Sequence, residues 1–160
     1  IPQEKLGAVR SQYGFLISQS VTHPESYSGG WEFDPAAMSL AVNTLAHADV
    51  VVNMFSTFFI EGAIFDKPLI GIAFDGRGSR PYWNSAVRFF DWDHLRELKS
   101  MQGVWIVKDE EELIRALNAS LRSPGHLRDG RRRIVAQQCQ FTDGCSGQRL
   151  AAALLDALNS

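Results

Sequence analysis

A chain of 160 residues, 45% hydrophobic and 21% charged, amounts to about one domain and is long enough to bury a core. A formal net charge of −2 lacks the basic excess of a nucleic-acid binder, and no apolar run could span a bilayer. Two cysteines, Cys139 and Cys145, form neither a disulfide framework nor a metal knuckle, so reduced thiols in a cytosolic protein, without a metal site, are expected.

The N-terminus lacks a charged region followed by an apolar one, so no secretory leader is expected, and residues 1–12 read either as a short helix or as a connector. Phe15 to Ser20 reads as a strand, with His23-Pro24 at its carboxyl end. Tyr27-Ser28-Gly29-Gly30-Trp31 is a loop by composition. Asp34 as N-cap and Pro35 at the first helical position predict a helix. Met38, Val42, Leu45 and Ala46 recur at helical spacing as its buried face, leaving Asn43 and His47 on the polar face.

Asp49 to Met54 is β-branched and apolar without alternation, which suits a parallel strand covered on both faces. Phe55-Ser56-Thr57 breaks the run, and a hydroxyl residue there is placed to cap a helix over Phe58–Phe65. That helix is expected to stop near Lys67-Pro68, because proline disfavours helical geometry in the residue before it. Leu69 to Phe74 is the next strand, closed by the turn pair Asp75-Gly76.

Arg77-Gly78-Ser79-Arg80-Pro81-Tyr82-Trp83 is a glycine-rich, basic and aromatic loop. Val87 to Leu95 mixes aromatics with acids, and Asp93 is expected to cap a helix through Leu98. Gly103 to Val107 is a further strand, followed by an acid-capped helix from Asp109 with Leu113, Leu117 and Leu121 on its inner face. Ser123-Pro124-Gly125 stops it. The basic run from Arg128 to Arg133 reads either as a phosphate or membrane-surface patch or as the solvated side of a helix through Ile134, Val135 and Gln138. A last helix, capped by Ser146, is expected to bury Leu150, Leu154, Leu155 and Leu158.

Strands thus alternate with helices at least four times, predicting an α/β fold: a doubly wound, mostly parallel sheet with helices on both faces. Ligands of such sheets bind outside the carboxyl ends of the strands, where a helix amino terminus favours phosphate. Ser56 and Thr57 can hold such a group there, and Glu61 can accept hydrogen bonds from sugar hydroxyls. The alternative is a plain cap and a solvated helix residue. An arginine of the loop, Arg77 or Arg80, can neutralise pyrophosphate or simply be exposed. There is no GxGxxG dinucleotide fingerprint, Walker loop or G-x-S-x-G elbow.

The run Asp49-Val50-Val51-Val52, then Ser56-Thr57, Glu61-Gly62-Ala63 and Lys67-Pro68, resembles the C-terminal, donor-binding domain of GT-B glycosyltransferases. It is most similar to bacterial relatives of the CDP-glycerol glycerophosphotransferases and capsule polysaccharide transferases. The similarity extends through Ala73–Gly76 and Phe90–His94 to Thr142–Arg149, about two thirds of the chain. The resemblance implies a Rossmann-like half of a GT-B enzyme, residues 1–160 forming one nucleotide-donor-binding domain beside an N-terminal acceptor domain. It implies a metal-independent transferase of cell-surface glycan synthesis that uses a UDP- or CDP-linked donor as substrate, with no tightly bound cofactor and no nucleic acid. The implied location is cytoplasmic, at the inner membrane face. Donor phosphates would rest on Ser56 and Thr57, with Glu61 on the ribose and Asp75, Gly76, Arg77 and Arg80 along the rim. His23 of the His-Pro pair would meet donor phosphate, with an exposed loop histidine as its alternative, and His94 would act in catalysis or docking or be structural.

Two other readings compete. A relative of the non-hydrolysing UDP-N-acetylglucosamine 2-epimerases would share the architecture but needs carboxylates for proton abstraction, where Ser-Thr-Phe-Phe stands instead. A non-catalytic α/β module would dock another subunit through Trp31, Trp83 and Trp92.

Overall fold

A computed structural model describes residues 35–54, 56–76, 78 and 80–159. The expected strand at Phe15–Ser20, His23, the Tyr27–Trp31 loop, the Asp34 cap and Arg77 lie outside the described residues. The chain divides into two compact units, Ile1–Thr44 and Leu45–Ser160.

The second unit is built on three parallel strands in the order β1 (Val51–Asn53), β2 (Leu69–Ile72), β3 (Val104–Val107). Val51 pairs with Leu69, and Leu69 with Val104, so the register runs evenly across the sheet. Helix α2 (Phe58–Ile64) connects β1 to β2. Two 3-10 turns, Tyr82–Asn84 and Ala86–Asp91, and helix α3 (Asp93–Ser100) connect β2 to β3. Helices α4 (Glu110–Arg122), α5 (Arg128–Gln138) and α6 (Ser146–Leu158) follow, and α1 (Pro35–His47) precedes β1.

Successive strand residues point to opposite faces; both are covered over β2 and β3, whereas Val52 of β1 is exposed, so that strand is not covered on both faces as expected. Leu69 packs with Phe59 and Ala63 of α2, Leu95 and Leu98 of α3, and Ile134 of α5. Ile70 on the opposite face packs with Val107 and with Ala116 of α4, flanked by Leu113 and Leu117. The fold is therefore α/β: a parallel sheet between helices, as its continuous apolar strands require. Among the described residues the strand order is sequential, without a reversal. No helix among them is long and apolar enough to cross a membrane.

Helix α2 ends at Ile64, four residues before Pro68. Asp66 adopts φ 51°, and the amides of Asp66 and Lys67 bond back to the carbonyls of Ala63 (2.9 Å) and Gly62 (3.0 Å). This closes the helix as a Schellman turn. Aspartate tolerates the left-handed conformation better than most residues. At α4 the Asp109 carboxylate accepts from the Glu112 amide (2.7 Å), while the Glu112 carboxylate accepts from the Lys108 amide (2.8 Å). The acid run thus builds a reciprocal cap.

Several expected details differ. Asp93 and Ser146 are the first helical residues, not the caps; Trp92 and Cys145 hold the cap positions without a side-chain cap bond. Leu45 of α1 is buried but Met38 and Val42 are exposed, since apolar residues surround that helix and no single face can take them all. Leu121 is exposed at the end of α4. The largest departure is α6, where Leu150, Leu154, Leu155 and Leu158 are 57–83% exposed. Over β2 and β3 the sheet faces are occupied by α2, α3, α5 and α4, and none of these α6 leucines is buried against them. Its start is held instead by the Arg149 guanidinium, which pairs with Asp143 and stacks over the Phe141 ring.

Candidate functional site

Because the three strands are parallel, their carboxyl ends share one edge, and the candidate residues of three separate loops meet that edge. After β1, the Ser56 hydroxyl accepts from the Phe58 amide at 3.1 Å. The carbonyls of Ser56 and Thr57 take the amides of Phe59 (3.3 Å) and Ile60 (2.7 Å). Thr57 occupies the N-cap position with helical backbone angles and makes no side-chain cap bond; capping falls to Ser56. The amides at the start of α2, expected to be open to phosphate, are therefore already bonded within the turn. A phosphate there would have to exchange for one of these bonds.

Glu61, in the first turn of α2, is exposed and faces α5 closely enough to act on Cys139. Burial chiefly, and the Glu61 charge second, push the Cys139 thiol up from its usual range.

After β2 the Ala73 amide still pairs with the Val107 carbonyl (2.8 Å), and the chain then turns at Asp75-Gly76. Gly76 has φ +77°, a conformation that a side chain would strain. Asp75 folds the following loop back. Its carboxylate accepts from the Ala86 amide at 2.7 Å. That bond, the Ser85 hydroxyl and the Arg80 charge hold its pKa below the usual carboxylate value. Asp75 thus shapes the rim through the protein's own groups.

The result is a cleft of about 520 Å³ lined by Asp75, Gly76, Gly78, Arg80, Tyr82 and Lys108. It adjoins a second cleft of about 590 Å³ that shares Phe74, Gly76 and Lys108 and runs to the acidic start of α4. Tyr82 is fixed by donating its hydroxyl to Asp91 (2.8 Å), which raises the phenol's pKa. The cleft brings together Asp75, Gly76 and Arg80 of the expected set; Ser56, Thr57, Glu61 and His94 are not among its lining residues. His94 is exposed in the first turn of α3, its ring 5.9 Å from that of Trp92. His23 and Arg77 lie outside the described residues.

Lys108 is the residue that sequence reasoning missed. Its signal was positional: it directly follows β3, at the edge where parallel sheets bind ligands. The basic run does open a helix through Gln138 with Arg128, Arg132 and Arg133 exposed, as one of the two readings expected, but not all of it is solvated. Arg131 is buried, Arg128 and Arg131 both bond Asp66, and Arg133 donates to the Met101 carbonyl, so part of the run is tied into the fold.

Exposed aromatics flank the cleft. Trp83 is 74% exposed with its ring 5.4 Å from that of Tyr82, and Trp92 packs edge-on to Phe89. No group of three or more histidines, cysteines and acids suited to a metal ion occurs among the described residues. No protein family, curated protein or solved structure matches this chain.

Proposed function

We propose that the chain is the donor-binding half of a GT-B-type transferase of cell-surface glycan assembly, taking a UDP- or CDP-linked sugar or polyol and working with an N-terminal acceptor domain. What carries this reading is the meeting of Gly76, Gly78, Arg80 and Lys108 in one cleft at the carboxyl edge of a parallel sheet. A guanidinium, an ammonium and glycine backbone approaching from two loops suit a diphosphate. Ser56 and Thr57 border the same edge, and Glu61 supplies an acceptor for ribose hydroxyls. In the transfer, an acceptor hydroxyl attacks the donor, its proton goes to a base of the partner domain, and the nucleotide departs with its phosphate charge stabilised by Arg80 and Lys108. His94 belongs to the acceptor side of this scheme, and His23 to the departing phosphate.

Calorimetric titration of the chain with CDP and UDP tests the assignment. Binding is expected, weakened about tenfold by Arg80→Ala or Lys108→Ala through loss of a charge-assisted bond. No detectable binding at millimolar nucleotide, or affinities unchanged in both variants, overturns it.

The exposure of Trp83 favours one second reading, a non-catalytic module that docks a subunit through its aromatic loop. Association that is independent of nucleotide and lost in Trp83→Ser would support that reading instead.

A further inference from the structure

A separate cavity of about 830 Å³ shares no lining residue with the carboxyl-edge clefts. Its position follows from the topology. β3 ends the strand order, α4 covers the Ile70 face and α5 the Leu69 face. The segment between α4 and α5 must therefore cross the edge of the sheet beside β3, and the cavity lies between that crossing and the strand.

Two kinds of lining follow the edge of β3. One is apolar and aromatic: Val104 and Ile106 from the Leu69 face, and Trp105 from the Ile70 face, its ring 5.1 Å from that of His126. The other is cationic: Lys99, Arg128 and Arg133, against the single carboxylate of Asp129. The Asp129 charge is partly met by Arg132 at 3.6 Å. The Lys99 ammonium makes no hydrogen bond or ion pair among the described residues, while its carbonyl accepts from the Gln102 amide (3.1 Å). Arg133 uses Nε (3.1 Å) and one terminal nitrogen (2.8 Å) on the Met101 carbonyl, which leaves its other terminal nitrogen available. Arg128 gives Asp66 only its Nε, at 2.7 Å. The first turn of α5 also lines the cavity, adding the positive end of its dipole.

We propose that this cavity is a binding site for a small phosphate ester carrying a planar ring, the ring against Trp105 and His126 and the phosphate among Lys99, Arg128 and Arg133. A dianion matches an unpaired ammonium and two guanidiniums with N–H groups to spare, opposed by one partly paired carboxylate, and a flat ring matches the aromatic Trp105–His126 pair that a free phosphate would leave bare. The volume is within the range of small-ligand sites, ~300–1,000 Å³. The inference is independent of the donor reading, because its residues are different and lie elsewhere on the sheet.

The test uses the isotopically labelled chain, titrated with phenyl phosphate and, in parallel, with inorganic phosphate and benzyl alcohol, followed by NMR. Phenyl phosphate is expected to shift the Trp105 indole and the amides from His126 to Gly130, and to bind more tightly than either fragment. Lys99→Glu, at an exposed side chain, is expected to weaken phenyl phosphate about tenfold while the chain keeps its folded amide spectrum. His126→Ala is expected to weaken phenyl phosphate but not inorganic phosphate. Silence at Trp105, shifts confined to Gly76 and Gly78, or equal binding of phenyl and inorganic phosphate would each overturn the proposal. A UDP titration read at Gly76 reports separately on the donor cleft.

Discussion

Asp66 and Arg131, 65 residues apart in the chain, meet as an ion pair with the guanidinium Nε 2.9 Å from the carboxylate. The arginine side chain is 1% exposed and the aspartate 45%. The other guanidinium nitrogens are satisfied by the carbonyls of His126 (2.7 Å) and Pro124 (2.8 Å), so this buried charge is fully bonded. The pair joins the Schellman end of α2 to the first turns of α5, and with it fixes the segment that crosses the sheet edge.

Asp66→Asn keeps the left-handed backbone but removes the charge partner of a buried guanidinium. It is expected to destabilise the fold by about 2 kcal/mol, at the low end for a broken buried pair because water reaches Asp66. Arg131→Ala, which also orphans two carbonyls and leaves a void, should cost more. Urea denaturation midpoints decide the order; an unchanged midpoint in both variants would remove the pair's structural role.

Helix α5 packs on the turn before β3 only because residue 130 has no side chain. A Cβ on Gly130 would fall 2.0 Å from the Gln102 carbonyl oxygen and 2.4 Å from the Gly103 nitrogen, both backbone atoms that cannot step aside. Gly130→Ala is expected to cost about 3 kcal/mol or more. Gly147→Ala, in the open first turn of α6, is expected to be neutral or to stabilise by up to ~1 kcal/mol through helix propensity. Thermal unfolding of the two variants makes the comparison.

Leu154 and Leu158 of α6 are 57% and 83% exposed, while Ile134 of α5 is fully buried. Leu154→Gln and Leu158→Ser are expected to change stability by no more than about 0.5 kcal/mol. Ile134→Ala should cost about 2–4 kcal/mol through lost transfer energy and a cavity. A large loss from the α6 substitutions in the isolated chain would mean that these leucines are covered in solution.

The two arms of Arg149 clamp the Asp143 carboxylate, and the Cys145 amide adds a further bond at 3.0 Å, holding its pKa down at about 2 against the ordinary 3.8. A carboxylate whose pKa is depressed by folding contributes stability above its unfolded value and loses it as the pH falls through the folded one. The start of α6 should therefore stay docked at pH 5 and loosen as the pH falls below 3.8 toward about 2. Asp75 titrates in the same sense, being lowered first by the Ala86 amide. Amide shifts of Cys145 and Ala86 across this range report each release; Asp143→Asn should abolish the Cys145 transition.

The sequence alone determined the alternation of strand and helix, the parallel character of the sheet, and the end of α2 to within a few residues. Those properties rest on local patterns: β-branched runs such as Val50-Val51-Val52, the acids that open α4, and proline's restriction of the residue before it. Tertiary structure decided which apolar helix faces find a partner. The leucines of α6 have the spacing of a buried face, yet α2, α3, α4 and α5 take the places over β2 and β3, and no local signal tells which helices win them. It also turned RDGRRR from a charge run into Arg131 buried against Asp66, and brought Lys108 to the same cleft as Arg80. Such pairings depend on how the chain crosses the sheet between distant segments, a long-range property that residue spacing does not encode.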